Sequence, residues 1–392
     1  MKTISVGLVG LGSFGSAFAD LFKAHPLVGR IALCDQEPER VEAFASKESW
    51  RDKFHERDRY DSLDAILKSD LEALVLITQH WLHAPQAVRA LEAGKHVYSA
   101  VPLVWLPDGN EVLDWAGRLV ETVRQTGLRY MLGETTFYHP EAMYCRRQAR
   151  AGAFGDFVYS EGEYFHAFDS PGCDLRQVQR SRADSPAGRQ WRKTIQDYIG
   201  RGLLGGPMHY PTHSVSGPMC VMDAHAVRVA CWGQKPFTSD PYFRQDAHAF
   251  GNETALFLMS NGSTMRICEH RECSVGGETF RIYGTKGSFE EGVFKTLRQK
   301  VQPARDQMRD PLPPEVVEAF EKALPGKDFY GGHGGSHAYL VHEFVDAVAK
   351  DRMPAISAWD AARYTAAGTT AHQSALRDGE VLAVPDFGDT PR

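Results

Sequence analysis

The sequence predicts an α/β protein in two parts. A doubly wound parallel sheet comes first, followed by an α/β domain built on a large, open, mostly antiparallel sheet. Three observations carry this. Apolar strand-like runs alternate with helix-patterned segments as far as residue 135, which calls for a parallel sheet covered on both faces. From 157 to 290 the pattern changes to strand-like segments separated by short turns, with Asn261-Gly262 as a hairpin-like turn. The length of 392 residues favours two domains. The division expected is 1–135, 136–380 and a polar tail, 381–392.

Residues 4–9 form an apolar strand that runs into glycines, and 17–22 continue with helical spacing. A second strand, 30–34, ends at Asp35. The next helix, 37–46, carries Pro38 in its first turn, where a missing N–H costs nothing. Residues 62–68 read as helix, 73–77 as a buried strand, 81–93 as helix and 94–99 as strand. A long amphipathic helix, 109–126, then precedes a strand at 130–132. In the second part, strands are expected at 157–165, 226–232, 254–259, 263–269, 278–284 and 287–290. Residues 294–330, rich in proline and charge, read as an excursion or arm, and 339–350 as a helix.

Bulk properties narrow the functional classes. Hydrophobic residues make up 43% and charged residues 24%, the balance of a soluble globular protein, and a net charge of -6 gives no reason to expect nucleic acid or an anionic membrane as partner. Cys34, Cys145, Cys173, Cys220, Cys231, Cys268 and Cys273 are odd in number and never spaced C-x-x-C. No disulfide framework or zinc site is suggested, and a reducing cytoplasm fits best. The N-terminal run lacks an Ala-x-Ala cleavage site and is broken by Gly10, Gly12 and Gly15. No stretch is apolar enough to span a bilayer.

Gly10-x-Gly12-x-x-Gly15 follows a strand and opens a helix, the context in which this motif binds a dinucleotide. The first glycine permits a tight turn, the second lets a pyrophosphate approach the backbone, and the third allows close helix–strand packing. The phosphates then rest on the helix N-terminus, at Ser13 and Phe14. Asp35, 20 residues past Gly15, is placed to accept both ribose hydroxyls and to repel a 2′-phosphate. The cofactor expected is NAD on a Rossmann domain. The alternative, a glycine turn that binds no nucleotide, has to explain why strand, glycines, helix and acid all agree.

With these residues on the page, the chain resembles the glucose–fructose oxidoreductase/inositol dehydrogenase (Gfo/Idh/MocA) superfamily over nearly its whole length. The glycine motif carries the likeness, together with Ile77-Thr78-Gln79-His80-Trp81-Leu82-His83, Gly94-Lys95-His96-Val97 and Pro102. The resemblance implies that Thr78, His83 and Pro102 join the cofactor site. In the family a Glu-Lys-Pro motif supplies a lysine that handles the substrate hydroxyl proton. Here the triplet is Ala100-Val101-Pro102, so ordinary alcohol dehydrogenation is placed in doubt.

Tyr164-Phe165-His166, Tyr210-Pro211-Thr212-His213 and Gly331-Gly332-His333-Gly334-Gly335 are similar to motifs of NAD-dependent α-N-acetylgalactosaminidases. That branch hydrolyses glycosides by transient oxidation at sugar C3, loss of the C2 proton with departure of the aglycone, addition of water and re-reduction. The likeness implies catalytic roles for Tyr164, Tyr210 and His213, and substrate contacts from His166, His209 and His333. Related hydrolases act on other sugars, sulfoquinovosides among them.

The residues themselves leave alternatives open. Histidine at 213 can both accept and donate a proton near neutrality, but a histidine at a helix start also serves packing. Tyr164 and Tyr210 are equally at home as tethered core tyrosines. His209/His213 and His333/His337 have the spacing that puts two imidazoles on one helical face. No acid or cysteine accompanies either pair, so no metal is expected. Arg176, Arg180, Arg182, Arg189, Arg192 and Lys193 form a dense basic run. Such a run is ordinarily a solvated face, yet folded over a cleft it would grip a sulfonate, carboxylate or phosphate. The cysteines lack activating surroundings. Three functions remain: a redox-neutral glycoside hydrolase, which leads; an NAD-dependent sugar or polyol dehydrogenase; and an NAD-sensing binding protein. A sugar or glycoside is the small-molecule partner, and a homo-oligomer through the C-terminal sheet is expected.

Overall fold

The computed structural model describes residues 2–170, 173–245, 247–274 and 276–391. Six parallel strands open the fold: β1 (Ile4–Val9), β2 (Val28–Cys34), β3 (Phe54–Tyr60), β4 (Ala73–Leu76), β5 (His96–Ala100) and β6 (Tyr130–Gly133), in the spatial order β3-β2-β1-β4-β5-β6. The central strands are mostly apolar because helices cover both faces: Val6, Leu33, Leu74 and Val97 are all fully buried. Those helices are α1 (Ser13–Ala24), α2 (Pro38–Ala45), α3 (Leu63–Leu67), α4 (His83–Glu92) and α5 (Gly109–Thr126). β3 was not anticipated. Its sequence, Phe-His-Glu-Arg-Asp-Arg-Tyr, has no apolar run, since it lies at the sheet edge and pairs only with β2. Its fully buried Asp58 is satisfied by Arg30 at 2.5 Å instead.

After α6 (Pro140–Arg150) comes β7 (Phe157–His166), a small hairpin of β8 (Asp169–Ser170) and β9 (Cys173–Asp174), and the helices α7 (Leu175–Ala183), α8 (Pro186–Gly200) and α9 (Thr212–Met222). β10 (Ala226–Gln234), α10 (Pro241–Gln245), β11 (Asn252–Met259), β12 (Thr264–His270), β13 (Gly276–Gly284), β14 (Gly287–Glu290), β15 (Val293–Thr296) and β16 (Lys300–Val301) follow. With β17 (Leu382–Ala383) they form a nine-stranded sheet ordered β16-β15-β14-β13-β7-β12-β11-β10-β17, antiparallel except where β12 meets β7. The helix α9 lies directly on this sheet: a Cβ on Gly162 of β7 would stand 1.9 Å from the Ser214 carbonyl oxygen. Only glycine lets the helix start, and with it His213, come that close.

The excursion at 294–330 is more ordered than its composition suggests. It adds α11 (Arg305–Met308) and α12 (Pro314–Ala323), and Phe320 of α12 is fully buried against His25, at the end of α1. Next, α13 (His337–Ala349) sets Phe344 against Phe22 and Tyr98 of the first sheet. The helix α14 (Ala358–Ala375) then bridges the two sheets, with Gln373 on Asn110 of α5 and Ser374 Oγ accepting from the Cys231 N–H of β10. The expected polar tail is packed as well: β17 pairs with β10, and Arg363 holds Asp389 at 2.9 Å. Among the described residues no helix is long and apolar enough to cross a membrane.

Candidate functional site

The nucleotide end is built by the turn between β1 and α1. Gly10 has φ +91°, and a Cβ there would lie 2.2 Å from the Ile77 carbonyl oxygen; one on Gly15 would lie 2.0 Å from the Gly10 carbonyl oxygen. A Cβ on Gly12, by contrast, would meet nothing nearer than the Arg40 guanidinium at 3.5 Å. Two of the glycines are thus forced by packing, and the third keeps space open beside the N-terminus of α1. That terminus has no side-chain cap, so the first-turn N–H groups at Ser13, Phe14 and Gly15 are available to phosphate oxygens. At the end of β2 the nearly buried Asp35 carboxylate accepts from the Leu11 N–H at 2.7 Å and the Glu37 N–H at 3.0 Å, which fixes its orientation toward the same turn. A glycine cradle, an uncapped helix start and a fixed acid fit a dinucleotide.

Thr78 stands beside Gly10 and donates its hydroxyl to Gln86 at 2.7 Å. The two ring nitrogens of His83 face carbonyls, Nδ1 that of Pro102 at 2.8 Å and Nε2 that of Thr78 at 3.2 Å, and burial lowers its pKa, so the neutral ring donates to one of them. The buried ring thus sits between the Thr78 and Pro102 backbones. Pro102 follows a cis peptide bond from Val101, whose carbonyl accepts from the Tyr210 hydroxyl at 3.4 Å.

At the reacting end, His213 is buried at the start of α9 and its Nδ1 meets Glu134 Oε1 at 3.0 Å. Glu134, fully buried just after β6, also accepts from the Thr136 N–H at 2.8 Å. Burial works against charge on the imidazole, yet Glu134, with Glu278 and Glu269 further out, outweighs it and raises the His213 pKa to about 9. Burial alone would raise the Glu134 carboxyl; His213 and the Thr136 N–H hold it below the usual range. The two are therefore an imidazolium–carboxylate pair at neutral pH, and among the described residues His213 Nε2 has no protein partner.

Aromatic rings surround this pair. Tyr164 stands edge-on to His213 at 5.0 Å and shares a 2.7 Å hydrogen bond with His166 Nδ1; Tyr210 lies 5.5 Å from His213. Burial pushes both phenols up, so both are protonated. His333 stacks on His213 at 6.4 Å, and its other side meets Phe14 of the glycine turn at 5.4 Å. The 331–335 loop thus joins the nucleotide end to the reacting end.

Next to these groups is a cavity of about 190 Å³ walled by Trp81, Trp105 and Trp191, by Tyr164 and Tyr210, and by His166. Arg182, Arg192 and Arg271 also line it; no aspartate, glutamate or lysine among the described residues does. Sequence reasoning expected His209 at the substrate. The structure turns it away: fully buried, it bonds the Leu106 carbonyl at 2.9 Å and packs on His372 at 4.5 Å, behind the wall. Among the described residues, no three His, Cys, Asp or Glu side chains converge as a metal site. His333 and His337 bond each other at 3.2 Å, and His209 and His213 face different partners.

Glu134 is the residue that the sequence reading missed. It follows β6 directly, but 79 positions separate it from His213, and no local motif marks it.

Residues 4–134 match the Gfo/Idh/MocA family model, described as an oxidoreductase family with an NAD-binding Rossmann fold. A curated relative, a glycosyl hydrolase family 109 protein of Streptomyces filamentosus, is 25% identical over 98% of this chain and 78% of its own length. Among solved structures, an oxidoreductase domain protein from Kribbella flavida superposes with TM-score 0.72 at 18% identity, covering 98% of this chain and all of its own. A levoglucosan dehydrogenase in complex with NADH and levoglucosan gives 0.71, also at 18% identity, over 98% of this chain and all of its own. At those identities the solved structures share the fold.

Proposed function

We propose, for a chain whose residues 4–134 form an NAD-binding domain of the Gfo/Idh/MocA family, that the protein is a glycoside hydrolase working by transient oxidation at sugar C3. One observation carries this. Hydrolysis by paired acids needs two carboxyl groups flanking the scissile bond; among the described residues no Asp or Glu lines the cavity, and next to its wall residues Tyr164 and Tyr210, both protonated, is a single buried carboxylate, Glu134, paired with His213. NAD, when bound, supplies a hydride acceptor and then a hydride donor.

The chain's own residues handle protons and charge. His213 begins as an acid. Its free Nε2 holds a proton that can be given to a sugar oxygen as negative charge builds there, and the imidazolium stabilises that charge. Glu134 fixes the ring through Nδ1 and keeps the proton on it. Tyr164, bonded to His166, forms a second proton-handling pair, which takes the C3 hydroxyl proton as the hydride leaves C3 and the C2 proton as the aglycone leaves, passing each to the open cavity, and Tyr210 lines the same cavity. The backbone N–H groups at Ser13, Phe14 and Gly15 and the Asp35 carboxylate hold the cofactor, with Thr78 and Pro102 bordering it. His333 spans the two ends. The arginines on the wall favour an anionic sugar, a sulfoquinovoside being one. The family 109 relative supports a hydrolase.

The rival is an NAD-dependent sugar dehydrogenase that releases NADH. It is favoured by the likeness to a fold solved with NADH and levoglucosan, with His213 doing the work of the absent lysine. The two separate cleanly when the protein is incubated with NAD and a panel of 4-nitrophenyl glycosides, with nitrophenol and NADH followed together. Nitrophenol without NADH supports the hydrolase. NADH from free sugars, with no nitrophenol from any glycoside, overturns it.

The outer face of the nine-stranded sheet leaves Trp232 60%, Leu256 51% and Leu258 40% exposed, and the β10–β11 register puts all three on one side. That exposed apolar face supports a homo-oligomer assembled through the sheet.

A further inference from the structure

The arginine-rich stretch forms α7 and α8, a helical hairpin across the cavity. The helix α7 buries none of its own residues. The hairpin is held by α8, whose Trp191 stacks on Trp81 at 4.5 Å with rings 14° apart. Three of its six cations are committed. Arg176 pairs with Asp240 at 3.3 Å, and Arg192 donates to the Ala183 carbonyl at 2.9 Å. Arg189 donates to the Asp184 carbonyl. On the opposite wall Arg271 is taken by Glu269 at 3.0 Å and by the His270 carbonyl.

Arg182 is different. Its backbone carbonyl is fastened by the Ser185 hydroxyl at 2.7 Å, while its guanidinium lines the cavity with no acceptor among the described residues. Two more groups on the same wall lack partners: the Trp191 indole N–H, in a residue 5% exposed, and Nδ1 of His248. Burial, reinforced by the positive charge of Arg182, keeps neighbouring His80 neutral. The wall thus offers, among apolar rings, a solvent-exposed cation with no protein acceptor, and no carboxylate among the described lining residues answers it.

We infer that Arg182 is the specificity residue for an oxyanion carried by the sugar, a sulfonate, carboxylate or phosphate ester. This rests on the glycoside reading for the reaction, though not for binding. A guanidinium matches such a group with two parallel hydrogen bonds, which a lysine cannot do. A neutral sugar of the same shape brings hydroxyl oxygens but no negative charge to Arg182.

The test uses the NAD-loaded full-length protein, wild type and R182A, R182K and R180A. Arg180 lies on the same helix, is exposed and does not line the cavity. Binding of 6-sulfonated glucose, glucuronate, glucose 6-phosphate and glucose is followed by tryptophan fluorescence, which needs no turnover. Cleavage of the matching 4-nitrophenyl glycosides gives kcat/KM. Wild type should bind one anionic sugar at least tenfold tighter than glucose, and the sugar so favoured names the oxyanion. R182A should lose that preference by about 10–100-fold, the value of a charged hydrogen bond, with glucose binding moved less than threefold. R182K should recover only part of it, and R180A should behave as wild type.

Equal losses for charged and neutral sugars in R182A, or a wild type that binds glucose as tightly as any anionic sugar, overturn the inference. If no glycoside is cleaved but the binding preference and its loss in R182A are seen, the hydrolase reading fails and the Arg182 assignment stands. If aglycone is released without NADH and without charge preference, the reverse holds.

Discussion

Replacing Glu134 by glutamine removes one charge while keeping a group that fits the same space and can still accept from the Thr136 N–H. In the native protein the carboxylate, with Glu278 and Glu269, lifts His213 from its ordinary 6.5 to about 9 against the pull of burial. That difference corresponds to roughly 3 kcal/mol in favour of the charged ring. Without Glu134, only Glu278 and Glu269 oppose burial, and the imidazole should titrate well below 9. Near pH 7.5, nearly all of the wild-type rings carry the proton, whereas a ring at its ordinary pKa would be about one-tenth charged. E134Q should therefore lose at least tenfold in kcat at that pH and regain part of it on acidification. Its alkaline limb should move down by two pH units or more. The assay is aglycone release across the pH range, with the His213 ring titrated by NMR in the same samples.

Stability should move in parallel. The His213 pKa is raised in the fold, so its contribution is complete below about pH 6.5 and drains away as pH rises through about 9. The Glu134 carboxyl is held low, so its contribution is complete above its ordinary 4.5 and is lost as pH falls through the folded value. Wild type should thus lose thermal stability between pH 6.5 and 9 more steeply than E134Q does. If the two proteins share one alkaline limb and one Tm profile, the charged pair is not what titrates. If activity rises rather than falls through pH 9, His213 works as a base from its neutral form.

Other perturbations test other parts. Asp35→Asn should weaken NAD binding by about tenfold, the loss of a charged hydrogen bond, and narrow discrimination against NADP, as measured by calorimetry with each cofactor; unchanged ratios would remove Asp35 from the ribose site. Gly15→Ala places a Cβ 2.0 Å from a backbone oxygen, so it should cost about 1–3 kcal/mol of stability and most NAD affinity. A Tm within a degree of wild type would contradict the packing argument. The double variant Trp232→Arg, Leu256→Glu charges the open sheet face and should shift the protein to monomer in analytical ultracentrifugation. An unchanged sedimentation coefficient would place the assembly surface elsewhere.

What could be read from the sequence is what local chemistry enforces. A strand buried on both faces must be an apolar run, and a turn that cannot hold a side chain must be glycine, so the first sheet and its nucleotide turn stand out. The charged edge strand β3 does not, because its buried position is filled by the Asp58–Arg30 pair rather than by apolar side chains. Nor does α14: it is buried nearly all round, so small residues cover every side and no 3.6-residue stripe survives. At the candidate site the same division recurs. His213, Tyr164 and Tyr210 were singled out by motif likeness and lie together, whereas His209, next to the same motif, is held behind the wall by the Leu106 carbonyl at Nδ1 and by packing on His372.

The protonation state of His213 was out of reach for a different reason. An isolated buried histidine is expected to be neutral, and His80 and His248 on the cavity wall are pushed that way. The position of Glu134, set by where β6 ends against the start of α9, with Glu278 and Glu269 beyond it, reverses the sign for His213. Since three histidines of one site end up in opposite charge states, residue type alone carries no assignment of acid or base. That assignment belongs to the junction of the two sheets, where Glu134 from one and His213, resting on the other, are held within 3.0 Å.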